Sequence, residues 1–477
     1  AMGDEIKEKG SFMKIITPND DPYHAYIILK GDSTEELRNA VFTFASLNFP
    51  FPKTQFMKID RVSLTPPVIP SGKGILLPGY EYFFKDIGFY NTNFKGVGAK
   101  STSMEFKLPS YVFLKPNSFV SLKINFSYGS GMRKDSTLNI QINGKYVASI
   151  HLDSIKGGLI RGYIIDVPLS LFKPGYNVIT FTAVLSPLIT GYCEFVQTEN
   201  LQLTNFEDSK ISIPNTPSWT EMPNLSLFFI DAFPFSNPAD FSNAGVLITE
   251  QDYETLSSAI NLIALSAQKA GYVPFKIKVS YDREKLRDKN IMIVGSFSGI
   301  PKEYLKSAGI QIQEGGSFIY YLVKHHEKGE SSLNMKFRSF IENIFPIFKG
   351  KSDFVYSKSK IDFSGKEEGK WTVISGLESP HKSRNTAFIV TASDKESLLK
   401  GVSSLWEPSL SAKVAGSLTI FDPQYPEETI SSYYSDKVYY VGKMGFFSAL
   451  NAWIYAYPVI FSILMFIIIA ILAYFIY

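Results

Sequence analysis

The sequence has very little cysteine, since Cys193 is the only one among 477 residues. A lone cysteine cannot close an intrachain disulfide, so the fold depends on core packing, and cysteine usage does not fix the redox compartment. A strong charge of either sign is also missing. The net charge is +3 and the acidic and basic residues are interspersed, which leaves no basic footprint for nucleic acid.

Patterns typical of catalysis are absent too. The histidines are His24, His151, His325, His326 and His381. They lack metal-ligand spacing, and we interpret them as exposed turn residues. The only glycine-containing candidate for a phosphate loop is Gly295 to Gly299, for which an ordinary turn is the favoured interpretation. The sequence therefore predicts a protein that is not an enzyme, with no catalytic, cofactor-binding or metal residues and no cofactor.

Charged side chains are absent from Gly445 to Tyr477. Within that stretch, Pro458 to Tyr477 is almost wholly apolar and as a helix would span roughly 30 Å, about one hydrocarbon core. Pro458 suits the first turn of a helix, where its missing N–H costs nothing. We predict a transmembrane anchor over 458–477; a buried core helix is the less favoured alternative.

The segment before the anchor, 437–457, is predicted to be an interfacial amphipathic helix, because its bulky residues recur at helical spacing. The predicted contacts with membrane or partner are Phe446, Ala449, Leu450, Trp453 and Pro458. Small residues here, including Gly445 and Ala449, would permit close packing against another membrane helix.

Period-two alternation dominates 59–215 and predicts a β-sandwich. Val120 to Tyr128 alternates apolar and polar residues. Asn143-Gly144 fits a type I′ hairpin turn, and Lys173 to Tyr176 fits a type II turn before another strand.

Strands and helices alternate over 216–436, which comprises a linker and an α/β domain. Gly245 to Thr249 is followed by a helical pattern, and further strands are predicted at 275–279, 290–295, 371–375, 386–391 and 416–421. This alternation of strands and helices predicts a doubly wound, flavodoxin-like fold.

A candidate internal repeat relates the start of the chain to that domain. Ala25 to Asp32 and its following helix parallel Ala387 to Asp394 and the helix after it. Asp32 is predicted to cap the first helix with Glu35 closing a capping box, and Asp394 to cap the second. We interpret 1–58 as the C-terminal remnant of a first flavodoxin-like domain; coincidence is the alternative.

Aromatic residues, 15% of the chain, are the best functional lead outside the anchor. Rings can stack on flat sugar faces. The predicted glycan contacts are Tyr80, Tyr82, Phe89, Tyr90 and Trp219.

Several motifs carry a resemblance to a known family. They are Phe106-Lys107-Leu108-Pro109, Asn117-Ser118, Ser136 to Gly144, Val167-Pro168-Leu169, Pro174-Gly175-Tyr176-Asn177, Cys193, Asp208-Ser209 and Pro214. In this order they resemble the C-terminal portion of the periplasmic regulatory subunit of bacterial cellulose synthase. That family alternates jelly-roll, carbohydrate-binding-like modules with flavodoxin-like ones and ends in an interfacial and a transmembrane helix.

The resemblance implies a non-catalytic, membrane-anchored subunit of a cellulose or β-glucan synthase. Its C-terminal helices would pack on the catalytic glycosyltransferase subunit, and it would guide the nascent β-glucan out of the membrane. The implied location is the cell inner membrane, single-pass, with a periplasmic or extracellular ectodomain. Lys437 and Lys443 by themselves favour a cytoplasmic ectodomain. A free-standing, membrane-anchored glycan-binding or adhesion protein is the alternative function.

Overall fold

The computed structural model describes most of the chain up to Gly445. The described residues are 8–17, 21, 23–46, 54–60, 74–114, 118–188, 200–312, 318–325, 356–362, 370–434 and 437–445, with isolated positions 461, 462, 465, 466, 469 and 474.

The N-terminal unit is a small antiparallel sheet with one helix. It contains β1 (Phe12–Ile16), β2 (Tyr26–Lys30), α1 (Thr34–Ser46) and β3 (Phe56–Lys58), with strand order β2-β1-β3. Met13, Ala40 and Ile59 form its core.

The cap of α1 differs from the prediction. The Asp32 carboxylate accepts a hydrogen bond from the Gly10 N–H at 2.6 Å, so it is turned away from the helix. Ser33 Oγ instead accepts from the Glu36 N–H at 3.2 Å, and Glu36 Oε2 accepts from the Ser33 N–H at 3.2 Å. The capping box is therefore formed by Ser33 and Glu36, and the predicted pair of Asp32 and Glu35 is wrong.

The next unit is a β-sandwich in which ten strand segments are described. They are β4 (Glu81–Phe83), β5 (Thr92–Lys95), β6 (Gly98–Leu108), β7 (Phe119–Tyr128), β8 (Thr137–Ile142), β9 (Lys145–His151), β10 (Gly158–Pro168), β11 (Gly175–Leu185), β12 (Gln202–Asn205) and β13 (Lys210–Ser212). One layer has the order β6-β11-β8-β9. In the other, β7 pairs with β10 on one side and with β12 and β13 on the other, which in turn pair with β5 and β4.

The sandwich core follows the predicted alternation. Val120, Leu122, Ile124 and Phe126 of β7 point inward and are 0–1% exposed. The predicted type I′ turn is present, since Asn143 and Gly144 both have positive φ, 51° and 78°. The β-sandwich predicted from period two is confirmed.

The third unit is an α/β domain with a seven-stranded mixed sheet. Its strands are β15 (Ala244–Ile248), β16 (Lys278–Ser280), β17 (Asn290–Ser296), β21 (Thr372–Glu378), β22 (Thr386–Ala392), β23 (Leu418–Phe421) and β24 (Ser431–Tyr433). Its helices are α2 (Ser226–Asp231), α3 (Tyr253–Ala270), α4 (Lys302–Ala308), α5 (Lys395–Ser404), α6 (Pro408–Ser411) and α7 (Pro426–Thr429). The sheet order is β16-β15-β17-β22-β21-β23-β24.

Helices cover both faces of this sheet. Met292 and Val294 of β17 pack in a cluster with Leu262 of α3, whereas Ile291 and Ile293 pack on the opposite face with residues of α4. This two-sided burial explains the continuous apolar runs of β15, β17 and β22.

Only β16, β15, β17 and β22 run parallel, while β21, β23 and β24 are antiparallel to their neighbours. The segment predicted at 371–375 therefore belongs to a hairpin. The reason is the short connection from Ser379 to Asn385 between β21 and β22, because a parallel crossover needs a dozen or more residues.

Two smaller sheets accompany these units. One contains β18 (Ile310–Ile312), β19 (Phe318–His325) and β20 (Tyr356–Asp362), in the order of the chain. The other pairs β14 (Ser218–Met222), in the linker, with β25 (Tyr439–Lys443), which precedes the apolar C-terminal segment. The helix predicted over 437–457 is therefore wrong for Tyr439–Lys443, because backbone pairing with β14 holds these residues in an extended strand. Among the described residues, no helix combines the length and apolar character needed to cross a membrane.

The N-terminal unit has the topology of one half of the α/β domain. Its order β2-β1-β3 matches β22-β21-β23, with the helix in the same place along the chain. Phe12 pairs with Lys30 and Lys58, the last residues of its two neighbours; Thr372 pairs with Ala392 and Phe421 in the same way.

Candidate functional site

The aromatic residues predicted as glycan contacts do not form one surface. Phe89 is 5% exposed and packs against Phe84 and Phe181 in the sandwich core, with ring centroids 5.6 and 5.5 Å away. It has no ring face for a sugar, so its predicted role is wrong. The Tyr82 hydroxyl accepts a hydrogen bond from the Leu77 N–H at 2.9 Å, and burial raises the pKa of Tyr82.

The other three side chains lie nearer the surface. Tyr80 and Tyr90 are 46% and 66% exposed. Trp219 is in β14, where its ring lies parallel to that of Tyr440, with centroids 5.1 Å apart and an interplanar angle of 8°. One indole face is thus taken up by the neighbouring strand.

The pairing of β14 with β25 fixes the point where the chain leaves the fold toward its apolar end. Gly442 has φ of +123°, and a Cβ there would lie 2.1 Å from the Ser218 carbonyl oxygen, so only glycine permits this pairing. The buried Tyr439 hydroxyl donates to Thr386 Oγ1 at 2.8 Å and thereby fastens β25 to the central sheet. Burial raises the pKa of Tyr439.

A buried carboxylate joins the sandwich to the α/β domain. Asp231 lies at the end of α2 and is 8% exposed. Its oxygens accept hydrogen bonds from the Ser110 N–H at 2.7 Å and the Phe233 N–H at 3.2 Å. Burial raises the pKa of Asp231, an effect these hydrogen bonds only partly offset. Burial and the nearby Asp231 carboxylate also raise the pKa of Tyr111 to about 12.

The carboxyl ends of β15 and β17 meet where α/β folds of this kind usually bind ligands. Here the position is filled by a side chain of the protein. Glu250 Oε2 accepts a hydrogen bond from the Ser296 N–H at 3.1 Å. Lys395 Nζ lies 2.9 Å from Asp252 and 3.8 Å from Glu250. The Glu250 carboxylate and the Lys395 ammonium group therefore supply both an anion and a counter-ion within this crevice.

The glycines of Gly295 to Gly299 serve packing. A Cβ on Gly295 or Gly299 would lie 1.7 or 2.7 Å from Thr249 Oγ1. Because these two glycines have no side chain, Thr249, which directly follows β15, can lie against them. The favoured interpretation of this segment, an ordinary turn, agrees with this geometry.

Both helices at this edge begin with aspartate caps. Asp252 accepts from the Thr255 N–H at 2.9 Å and Asp394 from the Ser397 N–H at 2.8 Å. Burial by itself would raise the pKa of Asp394, but the hydrogen bonds from Ser397 and the positive charge of Lys370 contribute to a net lowering of this pKa. The cap predicted for Asp394 is confirmed.

One histidine departs from the prediction of exposed turns. The His381 side chain is only 13% exposed, with Nε2 3.1 Å from Glu303 Oε1. Its ring lies edge-on to Tyr304 at 5.6 Å. Burial raises the pKa of Tyr304 to about 12. Aromatic packing and the carboxylate explain why this histidine is held inside.

The predicted contacts of the C-terminal segment, Phe446, Ala449, Leu450, Trp453 and Pro458, lie outside the described residues. The last residues of the described fold before them are Met444 and Gly445. Cys193 also lies outside the described part of the chain.

Two family models match the two larger units. The model for the second CBM domain of cellulose synthase BcsB matches residues 81–210, and that for the second FD domain of cellulose synthase BcsB matches 218–390. The chain belongs to the cellulose synthase BcsB family. The resemblance of the motifs is thereby confirmed.

Relatives from several bacteria agree with the BcsB assignment. A protein named cyclic di-GMP-binding protein from Pseudomonas fluorescens is 23% identical over 75% of this chain and 47% of its own length. The Escherichia coli K12 protein of that name is 22% identical over 98% of this chain and 60% of its own. Cellulose synthase 1 of Komagataeibacter xylinus is 22% identical over 90% of this chain and 28% of its own. The chain thus spans less than two thirds of each of these relatives.

Among solved structures, a family 35 carbohydrate binding module is 16% identical and covers 26% of this chain and 75% of its own, with a TM-score of 0.14.

Proposed function

We propose that this BcsB-family chain is a non-catalytic, membrane-anchored subunit of a β-glucan synthase complex. Its C-terminal helices pack on the catalytic glycosyltransferase subunit, and its ectodomain guides the nascent polysaccharide away from the membrane. Support comes from the match to BcsB domains and from relatives that carry the name cellulose synthase.

The observation that carries the proposal is the position of β25. This strand pairs with the linker strand β14, residue Lys443 opposite Ser218, immediately before the uncharged C-terminal segment. The linker also contacts the sandwich, since the Trp219 N–H donates to the Tyr111 carbonyl oxygen at 3.0 Å. A helix pair that follows β25 would therefore be fixed relative to both large units, as a guide for a polymer requires.

The proposed domain boundaries are those predicted from the sequence, except for the start of the interfacial helix, because β25 occupies Tyr439–Lys443. Residues 59–215 form the carbohydrate-binding-like sandwich and 216–436 a linker with a flavodoxin-like domain. We assign 1–58 as a partial copy of that domain, supported by the shared order β2-β1-β3 and β22-β21-β23. The interfacial helix then begins after β25, within 444–457, and 458–477 is the transmembrane anchor, with the ectodomain in the periplasm.

The names of several relatives mention cyclic di-GMP, an anionic ligand for which the crevice of this chain is a poor site. The crevice at the ends of β15 and β17 is occupied by the Glu250 carboxylate, which would repel a phosphate. An alternative function is a free-standing, membrane-anchored glycan-binding or adhesion protein, for which Tyr80, Tyr90 and Trp219 remain candidate glycan contacts.

The test is detergent co-purification of the chain with the glycosyltransferase from its native membranes. A chain in which 444–477 is replaced by an unrelated membrane helix stays in the membrane and is the control for anchoring alone. We expect only the native segment to retain the glycosyltransferase. Retention by both chains, or by neither, would contradict a specific helix interface.

A point substitution makes the test sharper. Trp453→Ala, in the interfacial segment, should weaken retention, because truncating an aromatic anchor removes a large contact area. Trp406→Ala, at a tryptophan 37% exposed in the α/β domain, is the matched control and should retain the partner fully.

A further inference from the structure

The outer face of the β6-β11-β8-β9 sheet presents uncharged polar side chains in straight rows. Strand pairing aligns one row across all four strands: Ser101, Thr182, Asn139 and Ser149. The next row contains Ser103, Thr180, Gln141 and Tyr146. Opposed residues in a sheet project to the same side, so these eight side chains form one flat patch, which we call the polar face.

Hydrogen bonds within the rows hold the polar face in shape. Ser101 Oγ and Thr182 Oγ1 are 2.8 Å apart. The Ser149 hydroxyl donates to Asn139 Oδ1 at 2.6 Å. A hydroxyl can donate one hydrogen bond and accept two, so these side chains keep capacity for a ligand after pairing with each other.

The eight side chains of the polar face carry no charge, and the charged residues on the same side, Glu105 and Lys107, lie beyond its second row. The outer face of the second layer carries Lys123, Lys210, Glu81 and Asp166, aligned through the pairing of β4, β13, β7 and β10. Covering such ions costs free energy unless each finds a partner, whereas hydroxyls and amides match the donors and acceptors of a neutral sugar. The polar face is therefore suited to a neutral polysaccharide.

Two exposed tyrosines lie on this side of the sheet, Tyr146 at the end of the second row and Tyr176 beyond that row. Tyr146 is 63% exposed and Tyr176, further along β11 on the same side, is 58% exposed. From strand spacing and rise, their Cα atoms are roughly 16 Å apart diagonally across the sheet. Lys107 Nζ lies 4.4 Å from the Tyr176 ring centroid and steadies that ring. Both rings stand where sugar faces would stack on them.

We propose that the polar face binds a neutral β-glucan chain, with Tyr146 and Tyr176 as stacking platforms and the hydroxyl and amide rows as hydrogen-bonding contacts. This site is separate from the aromatic candidates Tyr80, Tyr90 and Trp219. The inference rests on the proposed function for its choice of polymer and places the guiding surface on one face of the sandwich.

The experiment measures binding of a soluble cello-oligosaccharide to the full chain in nanodiscs by titration calorimetry. Asn139→Ala and Tyr146→Ala should each raise Kd about tenfold, the loss expected for about 1.4 kcal/mol of contact. Thr182→Val should weaken binding and Thr182→Ser should preserve it, because only the second keeps the hydroxyl. Melting temperatures establish that each variant is folded.

Matched controls lie away from the polar face. Tyr253 is 73% exposed at the start of α3, and Asn93 is an exposed strand asparagine in β5. Tyr253→Ala and Asn93→Ala should change Kd less than twofold.

Several results would overturn the inference. One is the absence of binding at millimolar oligosaccharide, and another is an equal Kd for Tyr146→Ala and the native chain. A larger loss of affinity from Tyr90→Ala than from Tyr146→Ala would also overturn it, as would tighter binding of an anionic polymer such as carboxymethylcellulose. Co-purification with the glycosyltransferase is measured separately. If the chain binds glucan but does not retain the glycosyltransferase, the synthase proposal is contradicted. If the chain retains the glycosyltransferase but does not bind glucan, only the proposed role of the polar face is contradicted.

Discussion

Replacing Asp231 should loosen the junction between the sandwich and the α/β domain. Asp231→Ala leaves the N–H groups of Ser110 and Phe233 without acceptors. At about 1–3 kcal/mol for each buried, unsatisfied donor, the upper limit is about 6 kcal/mol. Relief of the buried carboxylate offsets part of this loss, and the adjacent cavity of about 20 Å³ is large enough for one water. We expect a net loss of about 2–4 kcal/mol in the free energy of unfolding.

The assay combines denaturant unfolding with hydrogen exchange at the Ser110 amide. Asp231→Ala should make that amide exchange faster and lower the stability, while Asp166→Ala, at an exposed aspartate in β10, should stay within about 0.5 kcal/mol of the native chain. If Asp231→Ala were as stable as this control and the Ser110 amide stayed protected, the carboxylate would not hold the junction.

Asp231 also predicts a pH dependence. Because its pKa is raised in the folded protein, the folded state holds a proton that the unfolded state loses above about pH 4. Its contribution to stability should therefore fall as pH rises from about 4 toward the raised pKa. Asp231→Asn cannot ionise, so its unfolding free energy should lack this slope; an unchanged slope in Asp231→Asn would refute the assignment.

Three further predictions concern the α/β domain and its linker. Asp394→Ala should destabilise the protein by about 1 kcal/mol at neutral pH, and because the Asp394 pKa is lowered this difference should disappear as pH falls below about 4; a constant difference in acid unfolding curves would count against the cap. A double-mutant cycle of Trp219→Ala and Tyr440→Ala should give a coupling of about 0.5–1.5 kcal/mol in thermal unfolding, and additivity would argue against the stacked pair. Gly295→Ala should cost about 1–3 kcal/mol by overpacking against Thr249, and Thr249→Ala should restore most of it; no rescue would mean that the clash lies elsewhere.

The spacing of apolar residues and the residue types at turns were sufficient to predict the sandwich and most strands of the α/β domain. Val120 to Tyr128 alternates because one face of β7 is buried, and Asn143-Gly144 accepts positive φ at low cost. Strand direction was harder to predict. An apolar run such as Val373-Ile374 is compatible with either direction, and only the short link to β22 makes it antiparallel.

The candidate site was less predictable than the fold. Tyr80, Phe89 and Tyr90 are close in sequence, but Phe89 follows a one-turn 3₁₀ helix (Phe84–Ile87) and is buried in the core, whereas its neighbour Tyr90 is exposed. The polar face had no sequence signal, because its rows combine residues from β6, β11, β8 and β9, which only strand pairing brings together. The N-cap of α1 was also ambiguous, because Asp32 and Ser33 are both good capping residues. Ser33 is the cap because the Asp32 carboxylate accepts a hydrogen bond from the Gly10 N–H instead.

The most direct test of the central claim is glucan synthesis by membranes that contain the glycosyltransferase. The measurement compares the native chain with the chain in which 444–477 is replaced by an unrelated membrane helix, at equal amounts of both proteins. The account predicts synthesis with the native chain and its loss with the replacement. Equal synthesis with both chains would contradict the claim that this segment is a functional contact with the synthase.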